Sequence, residues 1–143
     1  MIKPGDIVLF KYPYTDYTGE KRRPVVIIAE RPDFENEFLI TFLTSQTSDF
    51  NKEWDIELEP ESKRDHQTNL KKKTLIKTTK LMIISYSRLT GKIGSVDIFV
   101  LSQVKENIKR WLTLQCHVIP SLCSRAVSER SEESLSLRSF LLV

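Results

Sequence analysis

The chain has 143 residues, 40% of them hydrophobic and 29% charged, which suits one domain able to bury a core and excludes a fibre or wholesale disorder. No apolar run approaches the roughly 20 residues that cross a bilayer, and Met1-Ile2-Lys3-Pro4-Gly5-Asp6 lacks the apolar region of a secretion signal, so the expected location is cytoplasmic. The net charge of +3 conceals a segregation: residues 30–61 hold ten acidic and two basic side chains, a balance of −8, and residues 62–92 hold nine basic and one acidic, a balance of +8. That pattern predicts an acidic and a basic face, the latter suited to phosphate backbones. Cys116 and Cys123 are too few for a disulfide framework and read as incidental thiols.

In chain order, Ile7-Val8-Leu9-Phe10 predicts a first short strand. Residues 11–20 carry Tyr12, Tyr14 and Tyr17 and read as a long connection with turn chemistry at Asp16 and Gly19. Tyrosines beside Lys21-Arg22-Arg23 offer stacking surfaces next to phosphate-seeking charges, the combination that single-stranded nucleic acid requires; they equally suit a lid packed on a barrel edge. Arg23 precedes Pro24, which pushes its backbone towards extended geometry, and Val25-Val26-Ile27-Ile28-Ala29 reads as a strand buried on both faces. The basic group is thus expected at the mouth of a rigid strand, where a guanidinium meets an anion with little freedom left to lose.

After the break at Arg31-Pro32-Asp33, residues 38–43 predict a third strand ending in the polar Thr44-Ser45-Gln46. Asp55-Ile56-Glu57-Leu58 alternates and predicts a half-exposed strand stopped by Pro60; a polar loop follows over 61–69. Residues 74–85 are long enough for one bent strand or two consecutive ones. Residues 92–97 shift the period from two towards 3.6, and Val100, Val104, Ile108 and Leu112 mark one amphipathic helix with Asp97 as its N-cap. From residue 115, seven serines and no clear periodicity set off a tail over 115–143, open between disorder, an added helix over 129–142 and read-through sequence. Short strands followed by one helix argue for a small, strongly curved β-barrel with a terminal helix, built from residues 1–114.

Five stretches in order, Gly5-Asp6-Ile7-Val8, Lys21-Arg22-Arg23-Pro24-Val25-Val26, Leu43-Thr44-Ser45-Gln46, Lys71-Lys72-Lys73-Thr74-Leu75-Ile76-Lys77 and Gly91-Lys92-Ile93-Gly94, resemble the PemK and MazF family of bacterial toxin endoribonucleases over residues 1–114. The resemblance implies an SH3-like barrel that forms a homodimer and cleaves single-stranded mRNA at short sequences without metal or cofactor. It also implies a cognate antitoxin that holds the toxin inactive, with operator DNA reached through the antitoxin complex. Carried over by residue, the family's arginine before the strand proline falls on Arg23, and its threonine and serine fall on Thr44 and Ser45, the expected catalytic set. Lys21, Arg22, Gln46, Lys77, Tyr14 and Tyr17 are the expected RNA-binding residues. Some members place an arginine and an aspartate one residue apart on the later strand, where this chain has Lys77 and Thr79. Lysine can still hold a phosphate, but threonine cannot replace a carboxylate as general base.

Metal-free RNA cleavage uses the neighbouring 2′-hydroxyl as nucleophile, so the protein must help remove its proton, stabilise charge on the phosphorane and protonate the leaving 5′-oxygen. Arg23 suits the second task, because a guanidinium offers a bidentate fork to two phosphate oxygens. It holds its proton too tightly to act as a base, so Arg23 reads as clamp and candidate acid. Thr44 and Ser45 are placed to hydrogen-bond the phosphate or orient the 2′-hydroxyl. The base is unassigned: His66 and His117 show no orienting partner, and Asp16 and Glu20 are candidates only by nearness to Arg23 along the chain. Two other readings stay open, a non-catalytic barrel that binds a protein, as the related gyrase-poisoning toxins do, and a barrel that binds RNA without cutting it.

Overall fold

The aliphatic and alternating runs form six strands and one helix in the computed structural model of the protein, which describes residues 1–13 and 19–114. Tyr14, Asp16, Tyr17, Cys116, His117 and Cys123 lie outside the described residues. The elements are β1 (Asp6–Pro13), β2 (Glu20–Glu30), β3 (Glu37–Thr44), β4 (Ile56–Leu58), a 3-10 turn at His66–Thr68, β5 (Thr74–Ser85), a second such turn at Tyr86–Arg88, β6 (Leu89–Ser95) and α1 (Ile98–Leu114). The strands make one antiparallel sheet in the order β4-β5-β3-β2-β1-β6. The fold is mainly β and barrel-like, of the SH3-like class, with a helix at its C-terminal end, as the short strands and single helix predict. The chain divides into two compact units, Met1–Ile108 and Lys109–Val143; the sheet, both apolar cores and α1 as far as Ile108 belong to the first. No helix among the described residues is long and apolar enough to cross a membrane.

Strand β2 is buried on both faces, as its β-branched run predicts. Val25 and Ile27 enter one core with Val8, Phe10, Phe38 and Ile40. Val26 and Ile28 enter the other with Ile7, Leu43, Leu58 and Ile76, where Val100, Val104 and Ile108 of α1 also pack. Asp97 caps α1, its Oδ1 accepting the Phe99 N–H at 2.8 Å, which satisfies one of the orphan donors of the first turn.

Three features differ from the sequence-based expectation. First, β2 begins at Glu20 rather than after Pro24, so Lys21, Arg22 and Arg23 are strand residues paired with Tyr12, Lys11 and Phe10 of an equally extended β1. Pro24 lies opposite Leu9 of β1, and on its other side pairing with β3 starts only at Val25, so towards β3 its missing N–H costs no ladder bond. Second, β6 occupies residues read as the approach to the helix; Gly91 and Gly94 dilute its alternation. Third, the acidic and basic segments meet instead of parting, since β4 pairs with β5. Lys73 bridges to Glu57 and Glu59, and Lys77 to Asp55, which neutralises much of the split where it arises.

Strands β4 and β6 are the edges of the sheet, and the His66–Thr68 turn bridges towards β6. Asn69 donates its side-chain amide to the Ile93 carbonyl at 3.0 Å, while the Gln67 and Thr68 carbonyls press on Gly94, where an added Cβ would lie 2.5 Å from Gln67 O. Only glycine fits such an approach. Gly94→Ala is therefore expected to cost about 1–3 kcal/mol in denaturant unfolding. Gly91→Ala, whose Cβ would meet nothing within 4 Å, is expected to stay within about 0.5 kcal/mol of the parent.

Candidate functional site

Alternation along β1 and β2 places the site. Side chains two residues apart share a face, so Arg23 continues the row of Val25 and Ile27, and Tyr12 continues the row of Val8 and Phe10 beside it. Phe42 of β3 lies opposite Val25. Phe10, Tyr12 and Phe42 meet edge to face, with ring centroids 6.0 to 6.5 Å apart, a preferred arrangement for their quadrupoles. The Arg23 guanidinium sits over the Tyr12 ring, 5.3 Å from its centroid. An exposed cation–π contact contributes about 0.5–1 kcal/mol, enough to favour one orientation of an otherwise free side chain.

At the end of β3, the Thr44 hydroxyl oxygen accepts the Gln46 N–H at 3.2 Å, a local turn that leaves the hydroxyl proton available to a ligand. Strand β5 contributes through a bulge. Thr41 pairs with Leu81 and the next residue, Phe42, with Lys77, so Thr78, Thr79 and Lys80 are extra to the ladder. The bulge is pinned inside by Thr41 Oγ1 donating to Lys77 O at 2.5 Å and by Thr78 Oγ1 donating to Trp54 O at 2.7 Å. Bulges re-aim side chains next to sites, and here Lys80 joins the wall of the cleft.

The loop between β3 and β4 closes the same wall. Lys77 Nζ donates to the Asp49 carbonyl and to Asp55 Oδ2, both at 2.6 Å, and that same Asp55 oxygen accepts the Asn51 N–H at 2.9 Å. The pair is largely sequestered, with side chains 18% and 3% exposed. Removing one partner of a buried pair strands the other's charge. Asp55→Ala is accordingly expected to lower unfolding stability by about 3 kcal/mol and to loosen the loop, which hydrogen exchange of its amides would register.

Together these elements enclose an open cleft of about 290 Å³, lined by Tyr12, Arg23, Phe42, Leu43, Thr44, Gln46, Asp49, Lys77, Lys80 and Leu81. Of the residues singled out from sequence, it unites Arg23, Thr44, Gln46 and Lys77. Ser45 is exposed between two lining residues without lining the cleft itself. Lys21 is exposed opposite Tyr12, and Arg22 projects to the face opposite Arg23 by strand alternation. Tyr14 and Tyr17 are outside the described residues. His66 is exposed on its 3-10 turn, away from the lining set, and Thr79 does not line the cleft either. Sequence reasoning missed Phe42, Asp49, Lys80 and Asp55. Phe42 was visible only as an alternating apolar residue, and the other three carried no signal, because a bulge and an ion pair bring them in.

Residues 3–112 match the family described as PemK-like, MazF-like toxin of type II toxin-antitoxin system. No curated protein matches the chain in sequence. Among solved structures, a MazE-MazF complex from Deinococcus radiodurans is 12% identical, covering 78% of this chain and 95% of its own, with a TM-score of 0.62. An endoribonuclease in complex with its cognate antitoxin from a mycobacterial species is 13% identical over 80% and 97% of the two chains, TM-score 0.60. The Mycobacterium tuberculosis toxin MazF-mt6 is 16% identical over 73% and 93%, TM-score 0.54. At these identities the structural likeness concerns the fold, while the match over residues 3–112 concerns descent: the chain belongs to the PemK-like, MazF-like toxins of type II toxin-antitoxin systems.

Proposed function

We propose that this toxin is a metal-independent endoribonuclease that cuts single-stranded mRNA at preferred sequences by attack of the 2′-hydroxyl on the adjacent phosphate. The observation that carries the reading is the exposed guanidinium of Arg23, oriented over Tyr12 in the same cleft as the Thr44 hydroxyl. Arg23 clamps the phosphate and matches the charge that grows on its oxygens. Thr44 donates to the same group, and Ser45, at the adjoining exposed position, supports the phosphate or the 2′-hydroxyl. Gln46 reads a base edge, and Tyr12 and Phe42 present aromatic faces for unstacked bases. Lys80 adds a second cation for the backbone, and Lys21, on the same face of β2 as Arg23, extends the contact along the strand.

Further expectations accompany this reading. The toxin domain spans residues 1–114 and acts as a homodimer in the cytoplasm. A cognate antitoxin covers the cleft, as supported by the fold shared with MazF chains solved beside MazE. Operator DNA is reached through that complex.

Purified protein incubated in chelator with a long single-stranded RNA is expected to give discrete fragments with 5′-hydroxyl ends. Arg23→Ala is expected to slow this about 100- to 1000-fold while lowering unfolding stability by no more than the roughly 0.5–1 kcal/mol of its contact with Tyr12. Well-folded wild-type protein that leaves the RNA intact would refute the reading.

A further inference from the structure

From the wall of the cleft we infer that Asp49 is the general base, the group that takes the proton from the attacking 2′-hydroxyl. The inference rests on the ribonuclease reading above. Among the described residues lining the cleft, Asp49 bears the sole carboxylate. A negative charge there opposes binding of a phosphodiester, so its presence is a cost to affinity that proton transfer offsets.

The surroundings keep that carboxylate free. Lys77 holds the Asp49 main-chain carbonyl at 2.6 Å and turns its charge to Asp55, also at 2.6 Å. The loop is thus tethered at Asp49 while the carboxylate itself has no ion pair or hydrogen bond among the described residues. Asp49 is exposed, whereas the buried carboxylates are committed: Asp55 to Lys77, Asp6 to Lys92 at 2.8 Å, and Asp65 to the Glu59 N–H at 3.0 Å. The remaining charged and titratable side chains around the cleft are Tyr12, Arg23, Lys77 and Lys80. Of these, the cations are donors only, and the Tyr12 ring lies under Arg23.

The step balances simply. The 2′-oxygen bonds to phosphorus as its proton passes to a carboxylate oxygen of Asp49. The bond from phosphorus to the 5′-oxygen then breaks, giving a 2′,3′-cyclic phosphate, and the departing 5′-oxygen takes a proton from solvent. Asp49 returns its own proton to solvent.

The test compares wild type, Asp49→Asn and Asp49→Glu in single-turnover cleavage of one RNA. Binding of a 2′-O-methyl oligoribonucleotide of about 12 nucleotides, which cannot supply the nucleophile, is measured in parallel. Asp49→Asn is expected to cut about 100-fold more slowly or worse while binding the 2′-O-methyl RNA at least as tightly as wild type, and Asp49→Glu to cut faster than Asp49→Asn. The assignment is overturned if Asp49→Asn cuts within a few-fold of wild type, if it loses binding in step with rate, or if the glutamate gives no advantage over asparagine. A wild type that binds but does not cut, or does neither, removes the ribonuclease reading itself, a result distinct from active wild type with active Asp49→Asn.

Discussion

Burial of β2 on both faces is the constraint from which the site follows. Val25, Val26, Ile27 and Ile28 are at most 3% exposed, and each such side chain contributes about 1.5–3 kcal/mol relative to exposure. Their sum far exceeds the 0.5–1 kcal/mol or so of the Arg23–Tyr12 contact. Packing therefore sets where the Arg23 backbone lies, and the aromatic contact only selects among its rotamers. The cleft begins where the apolar rows of β1, β2 and β3 end, so one sheet face is core at one end and open cleft at the other.

The Lys77–Asp55 pair plays a different part. Desolvation of two charges cancels much of their attraction, so a sequestered ion pair is weak evidence of stability and better evidence of a fixed arrangement. Here it joins the β5 bulge to the loop that ends in β4, and Asn51 and Asp49 are held through the same two side chains. The polar wall of the cleft is consequently tethered to the sheet, which limits the conformational freedom a ligand must remove on binding.

Local chemistry made much of this legible in advance. The buried run after Pro24, the strand ending at Thr44, the Asp97 cap and the apolar stripe from Val100 to Ile108 each depend on residues near in sequence, and each was readable. The bounds of β1 and β2 were not, because Lys11, Tyr12 and Lys21 to Arg23 look like a loop until cross-strand pairing makes them strands. Strand β6 was hidden by Gly94, whose missing side chain answers to the Thr68 backbone far away in sequence. Of the residues that line the cleft, Arg23, Thr44, Gln46 and Lys77 were named in advance, from proline and strand-end context together with the family resemblance. Lys80 and Asp49 were not, since a three-residue bulge and a lysine's choice of partner are tertiary facts. The charge split misled for the same reason: opposite charges distant in sequence became neighbours across β4 and β5.

The unclosed sheet has a consequence for how the chain meets its own copies. A strand edge is a template for further strands, and among the described residues this sheet has two edges. One edge, β4, is three residues long and has Glu57 tied to Lys73. The other, β6, pairs with β1 through two register shifts and carries Lys92, while the His66–Thr68 turn lies against Gly94. Short, bent and charged edges offer little flat backbone for intermolecular β-pairing, so the open barrel is guarded against the usual route from a small sheet to fibrillar aggregates.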